Sequence, residues 1–187
     1  MIFREAEDRD LIRQAQQGNI DAYNLLVSRW EKRVYNYLLR LVRHREDALD
    51  LAQEVLLKAY QNLRKLEDIE RFPSWLFRIA HNEAFSLLRR KRPENDDIDP
   101  AASEVAAALP PGPSMLPMET ALAVDAALRR LTPDQRAAVV LKVYQGFKFE
   151  EMAEILDCPV STVKSRLYTA LDLLKETLAP ISHRSAI

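Results

Sequence analysis

One cysteine, Cys158, stands in 187 residues, so no disulfide can form within the chain. A lone thiol suits a reducing compartment, and Cys158 reads as a small apolar turn residue rather than a reactive one. Glycine is almost as scarce, at 3 residues. No stretch alternates apolar and polar residues as a half-buried strand does. No apolar run approaches the roughly 20 residues of a membrane helix. The first residues are charged and amphipathic, without the apolar centre of a signal peptide. The three histidines, His44, His81 and His183, lie far apart with no cysteine beside them, so they form no recognisable metal set.

Hydrophobic residues make up 48% of the chain, enough to build cores. The rest is dominated by Leu, Ala, Glu, Arg and Lys, a composition that suits helices. Formal net charge is only −1, an unpromising value for a nucleic-acid-binding protein. The charge is distributed in blocks, however. Residues 1–92 hold 18 basic and 14 acidic side chains, and residues 119–187 hold 9 of each. Between them, residues 93–118 carry five acidic side chains and no Lys or Arg. Six of the ten prolines also fall there. Such a segment favours extended chain and is too long for a loop within one compact domain. A short Ala-rich turn over 103–109 is the one element it offers. The expected architecture is all-α, with two small helical domains at 1–92 and 119–187 joined by an acidic Pro-rich linker.

Apolar spacings of three and four predict the helices. The first covers 8–18 and ends at Gly18-Asn19. The second, capped by Asn19 or Asp21, runs to about Val42. The third covers 46–66 and buries Ala48, Leu51, Ala52, Val55, Leu56, Ala59, Tyr60 and Leu63. Its other face holds Asp47, Asp50, Gln53, Glu54, Lys58 and Gln61, which suits either solvent or a partner. A polar connector at 67–74 ends in Phe72-Pro73-Ser74, with Ser74 as a cap. The next helix, 75–92, carries Trp75, Arg78, Asn82 and then Arg89, Arg90, Lys91 and Arg92. Aromatics among cations suit unstacked bases and phosphates. They equally suit a core aromatic and a favourably charged helix end. Two helices follow over 119–145, the second opened by Thr132-Pro133. The chain from Ala179 is expected to be loose.

Residues 150–174 form a pattern of their own. Met152, Ala153, Ile155 and Leu156 mark one helix, and Asp157-Cys158-Pro159 breaks it. Val160, Val163, Leu167, Ala170, Leu171 and Leu174 mark a second. Small Ala153 permits a close crossing, and Val163 fills the angle. Thr162, Lys164, Ser165, Arg166 and Tyr168 lie off the apolar stripe. A helix–turn–helix presents that part of its second helix to the major groove. Its turn commonly holds Gly. Asp157 stands there instead, and Asp tolerates the left-handed region better than most residues.

Several segments together resemble an extracytoplasmic-function (ECF) sigma factor of bacterial RNA polymerase, in the sigma-70 family. They are DALDLAQEVLLKAY (47–60), RFPSWLFRIAHNEAFSLLRRKR (71–92), LTPDQRAAVVLKVYQGF (131–147) and EEMAEILDCPVSTVKSRLYTAL (150–171). The resemblance implies a sigma-two domain that binds core polymerase through the clamp coiled coil of its large subunit. That domain would also hold the minus-ten element open as a single strand. A sigma-four domain would read the minus-thirty-five element as duplex, with the linker threading toward the active-site cleft and RNA exit path of the polymerase. Asp50, Gln53, Glu54 and Lys58 match the core-binding helix. Phe72, Trp75, Arg78, Asn82, Arg89 and Arg90 match the minus-ten surface, and connector 66–74 matches the loop that pockets a flipped base. Ser161, Thr162, Lys164, Ser165 and Arg166 match the minus-thirty-five surface. The implied partners are core polymerase, promoter DNA and an anti-sigma factor, in the cytoplasm. No catalysis, cofactor, metal or small-molecule substrate is implied.

The chain departs from the family at Ser86, where an acidic residue is common, and at Asp157 and Ser161, where Gly is common. The alternative is a helix–turn–helix regulator acting on duplex DNA without polymerase. It leaves the 75–92 surface and the 47–60 face idle. A recombinase would need strands and a supported nucleophile, and neither pattern is present. A helical adaptor would leave both basic surfaces unexplained.

Overall fold

In the computed structural model, residues 7–91 and 118–182 are described, with side chains over 7–91 and 123–178. Every regular element among them is helical. The expected linker over 93–118, and the turn over 103–109, lie outside the described residues except for Met118.

The first four helices are α1 (Asp8–Gln16), α2 (Ile20–Val42), α3 (Arg45–Asn62) and α4 (Phe72–Lys91). Gly18, at φ +97°, makes the turn out of α1, a region where a Cβ is costly. Asn19 then caps α2, its side-chain oxygen accepting from the Ala22 amide at 3.1 Å. Tyr23, Leu26, Trp30, Val34, Tyr37, Leu38 and Leu41 form the buried stripe of α2. Asp8 pins α1 across it, accepting from Arg29 at 2.7 Å and from the Trp30 indole at 3.0 Å. Beyond α3 comes a 3-10 turn, Leu63–Lys65. Its carbonyls would lack partners, and Gln16 supplies one, donating to Leu63 O at 3.0 Å and Leu66 O at 2.8 Å.

The start of α4 differs from the sequence expectation. The helix begins at Phe72, not Trp75, and Pro73 occupies its first turn, where its missing N–H costs nothing. Ser74 therefore lies inside the helix rather than capping it. Its hydroxyl donates to Arg71 O at 3.1 Å.

The second group is α5 (Met118–Arg129), α6 (Pro133–Val139), α7 (Phe149–Leu156) and α8 (Val160–Ser182). Thr132 and Gln135 close a reciprocal capping box at the start of α6, with Pro133 behind the cap. A π-helical turn, Val140–Tyr144, follows. The Gln145 amide donates to Val140 O at 3.1 Å, five residues back. This turn shifts the helical phase by one residue and brings Tyr144 and Gln145 round toward α2. α8 continues to Ser182, beyond the loose start expected at Ala179.

α7 and α8 are the helix–turn–helix. Asp157 sits at φ 49° and ψ 49°, the left-handed cap anticipated for it. Val163 is fully buried at the crossing and Ala153 packs against the core. Burying a valine side chain contributes about 1.5–3 kcal/mol. Asp157→Gly should therefore leave thermal stability equal or slightly higher. Asp157→Val should lower it by about 1–2 kcal/mol, the usual cost of a left-handed Cβ. Equal melting temperatures for the two variants would contradict this account of the turn.

The two groups pack on each other through one continuous apolar cluster. Phe77 of α4 meets Phe147 edge-on at 5.0 Å between ring centroids, and Tyr37 packs on the other side of Phe77 at 5.3 Å. Among the described residues, no helix is long and apolar enough to cross a membrane.

Candidate polymerase and nucleic-acid surfaces

Three surfaces collect the residues singled out in the sequence. On α3, Asp50, Gln53 and Glu54 are exposed and Lys58 is half-buried. Lys58 bridges Glu54 at 2.8 Å and Glu83 of α4 at 2.7 Å. Its hydrogen bonds to these two carboxylates push the ammonium pKa up. Two large apolar residues share this region without support from the core. Leu49 is 43% exposed and Leu57 is 56% exposed. With Gln53 they form a row at steps of four on one side of α3. The sequence signal for them was present: both leucines fall off the apolar stripe. Tyr60, expected inward, is 40% exposed instead. Its ring lies 4.9 Å from that of Tyr23, which fills the inward position and donates its hydroxyl to Leu56 O.

The second surface is α4 and the connector before it. Arg78, Asn82, Arg89 and Arg90 are exposed and Trp75 is half-buried. Phe72 is not on this surface. It is 2% exposed, wedged between Trp30 at 5.6 Å and Trp75 at 5.9 Å. The early helix start turns its ring inward, so it braces Trp75 and offers no face to a base. Trp75, Arg71, Ser74, Arg78 and Lys65 line a cavity of about 430 Å³ beside the connector. Glu154 of α7 lines it as well. Its carboxylate lies 3.1 Å from Arg71 and 3.5 Å from the Ser74 hydroxyl. One turn along α4, His81 is buried, with Nδ1 3.0 Å from the Tyr37 hydroxyl. Burial pushes His81 down to about 4, so its ring is neutral near pH 7.

The third surface is the first half of α8. Ser161, Lys164 and Ser165 are exposed, and Thr162 is half-buried. Lys164 Nζ lies 5.2 Å from the centroid of the Phe149 ring. Arg166 is less free than its position in the sequence suggests. It pairs with Asp134 at 3.1 Å and touches the Cys158 sulfur at 3.7 Å. Cys158 packs partly into the core, and burial pushes its thiol pKa up. That suits a packing role rather than a nucleophile.

These surfaces sit on a chain whose family is clear. The sequence matches Sigma-70 region 2 over residues 26–94 and Sigma-70, region 4, over residues 121–174. It is 36% identical to the ECF RNA polymerase sigma-E factor of Haemophilus influenzae, over 96% of this chain and 100% of the relative. It is 34% identical to that of Escherichia coli strain K12, over 98% of this chain and 100% of the relative. The RNA polymerase sigma-H factor of Pseudomonas aeruginosa is 30% identical, over 96% and 98%. Among solved structures, CnrH in complex with the cytosolic domain of CnrY matches at a TM-score of 0.70 and 26% identity, covering 92% of this chain and 97% of that one. The sigma factor RpoE of Bartonella quintana, in complex with the anti-sigma factor NepR, matches at 0.67 and 26%, covering 84% and 96%. The chain belongs to the ECF sigma factors of the sigma-70 family. It directs RNA polymerase to promoters, and its partners are core polymerase and promoter DNA.

Proposed function

We propose that the three surfaces divide the work of initiation. α3 docks on the clamp coiled coil of the polymerase large subunit through Asp50, Gln53, Glu54 and Lys58, with Leu49 and Leu57 as apolar anchors. The α4 surface captures the minus-ten element as a single strand. Trp75 offers a stacking face and Arg78 lines the cavity, Asn82 is exposed one turn further along α4, and Arg89 and Arg90 follow the backbone. Phe72 supports this surface from beneath. α8 reads the minus-thirty-five duplex with Ser161, Thr162, Lys164, Ser165 and Arg166. The working units are 1–92 and 119–187, with 93–118 as an acidic connector. The protein acts in the cytoplasm, catalyses no reaction itself and uses no cofactor. Its activity is held in check by an anti-sigma factor, a partner of the kind seen on RpoE of Bartonella quintana, whose structure is a complex with the anti-sigma factor NepR.

The observation that carries this is the cavity beside the connector. It combines an aromatic wall, Trp75, with Lys65, Arg71 and Arg78 for a phosphate and with Ser74 and the carboxylates of Glu67, Asp68 and Glu154, which can accept from a base edge. A duplex-only regulator has no use for such a pocket. Unpairing and flipping a base costs a few kcal/mol, and this site offers the return. In the holoenzyme, Asn82→Ala should cut discrimination between the non-template minus-ten strand and a scrambled strand by about 1–3 kcal/mol. Lys91→Ala should lower affinity for both strands alike, because Lys91 is already held by Asp47 and can add only a phosphate contact. Equal effects of the two substitutions on discrimination would remove Asn82 from the base-reading set.

A further inference from the structure

The two cations in the first turns of α8 stand to either side of its exposed face. The helix turns by about 100° per residue. Val163, Leu167 and Ala170 are buried against the core. Ser161, Ser165 and Tyr168 fall on the opposite side and are exposed. Lys164 and Arg166 lie between these two faces, one on each flank. They differ in how they are held. Lys164 is exposed, with its Nζ 5.2 Å from the Phe149 ring centroid. Arg166 is half-buried, and its Nη1 is fixed twice. That nitrogen lies 3.1 Å from the Asp134 carboxylate and donates to Cys158 Sγ at 3.7 Å. Asp134 is the second residue of α6, inside the capping box that Thr132 and Gln135 close. Thr132 caps the helix, so the Asp134 carboxylate is left for Arg166. A guanidinium has five N–H donors, and the pairing at Nη1 leaves those on Nε and Nη2 for another partner.

We propose that Asp134 is a positioning residue: from α6 it holds the Arg166 guanidinium on the flank of α8, set to meet the phosphates of one strand beside the minus-thirty-five element. The inference rests on, and deepens, the minus-thirty-five role proposed above for α8. It divides that surface by what each part meets. The exposed middle faces the floor of the major groove, where base edges are read. The flanks face its walls, where the phosphates run and fix the register of the protein on the duplex. A long arginine without support samples many rotamers, and ordering it on binding costs affinity. The ion pair with Asp134 does that ordering before DNA arrives. The opposite reading makes the carboxylate a rival of the phosphate that neutralises Arg166. Its sign is the reverse, because removing Asp134 would then tighten binding. Support is favoured by the geometry: the contact engages one nitrogen of the three, and it comes from the fixed start of a helix.

The test uses the holoenzyme and a short fluorescent duplex carrying the minus-thirty-five element of a promoter selected from a random library, read by anisotropy. Arg166→Ala should weaken binding and lower the salt slope by about one, as the loss of one phosphate contact does. Asp134→Ala should weaken binding by about three- to tenfold, the cost of ordering one long side chain on binding. A scrambled duplex should lose the same factor, since a phosphate carries no sequence. With Arg166→Ala already present, Asp134→Ala should change affinity by less than about twofold, because a residue that acts through another has no effect once that one is gone. Asp134→Asn keeps an acceptor beside the guanidinium and should recover most of the loss. A merely structural Asp134 would weaken binding equally in both backgrounds and lower the melting temperature, and Asn would not restore binding. Additive losses, equal or tighter binding by Asp134→Ala, or an Asn variant no better than Ala would each overturn the positioning role. A loss confined to the selected sequence would place Arg166 on a base and overturn the backbone contact. Arg166→Ala binding as tightly as the parent would instead defeat the part given to Arg166 in minus-thirty-five binding, on which the inference rests.

Discussion

Leu57→Asp should weaken association with core RNA polymerase by roughly thirty- to a thousandfold. The side chain is 56% exposed and faces solvent next to Gln53 and Glu54. Such a leucine gains nothing from the fold it stands on. Covered by a partner, it acts as an anchor, and burying aspartate in its place would be costly. Truncating an interface anchor commonly costs about 2–4 kcal/mol, which gives the range above at 1.4 kcal/mol per tenfold. The melting temperature should hardly move, since exposed substitutions stay within about 0.5 kcal/mol. Gln53→Ala with Glu54→Ala should act in the same direction but more weakly, because rim polar contacts contribute less than apolar anchors. Core affinity of Leu57→Asp equal to that of the parent, with the fold intact by circular dichroism, would remove α3 from the polymerase interface.

Phe77→Ala should have the largest effect on stability. Phe77 is fully buried and packs against Tyr37 on one side and Phe147 on the other. Removing a buried Phe ring costs about 3–5 kcal/mol, through lost transfer energy and the cavity left behind. For a chain of this size each kcal/mol moves Tm by about 2–4 °C. The melting temperature should therefore fall by about 6–20 °C. A core role and a base-stacking role separate cleanly in this measurement. A stacking residue would lose single-strand affinity at unchanged stability. Trp75→Ala, by contrast, should lose strand affinity, at about 1–3 kcal/mol for a stacked base.

The local grammar of the chain was largely legible. Asp157 takes the left-handed cap, Thr132-Pro133 opens α6, and Asn19 caps α2, because each is a decision among near neighbours in sequence. Phe72 was misplaced for a related reason. Ser74 looked like the cap, so Phe72 fell in the connector. The helix begins one turn earlier, and its phase then turns the ring inward. Leu49 and Leu57 belong neither to the apolar stripe nor to the polar face read from the sequence, and their exposure appears only in the structure. Their position off the stripe was the clue. Arg166 looked like a free cation because Asp134, 32 positions away, leaves no trace in the local pattern. The contact between the two halves was beyond reach for the same reason. Arg71 and Glu154 are far apart in the chain, and no periodicity links them. The π-helical turn at Val140–Tyr144 has no local signature either, yet it sets Tyr144 and Gln145 against α2.

The proposed activity is promoter opening with core polymerase, beyond the binding of duplex DNA. Permanganate reactivity of unpaired thymines tests it most directly, on a promoter selected from a random library with the reconstituted holoenzyme. Thymines in the minus-ten region of the non-template strand should become reactive when core polymerase and the full chain are both present. Neither alone should produce them, and Trp75→Ala should reduce them. Specific duplex binding by the chain alone, with no reactive thymine on any selected DNA after core polymerase is added, would contradict the account.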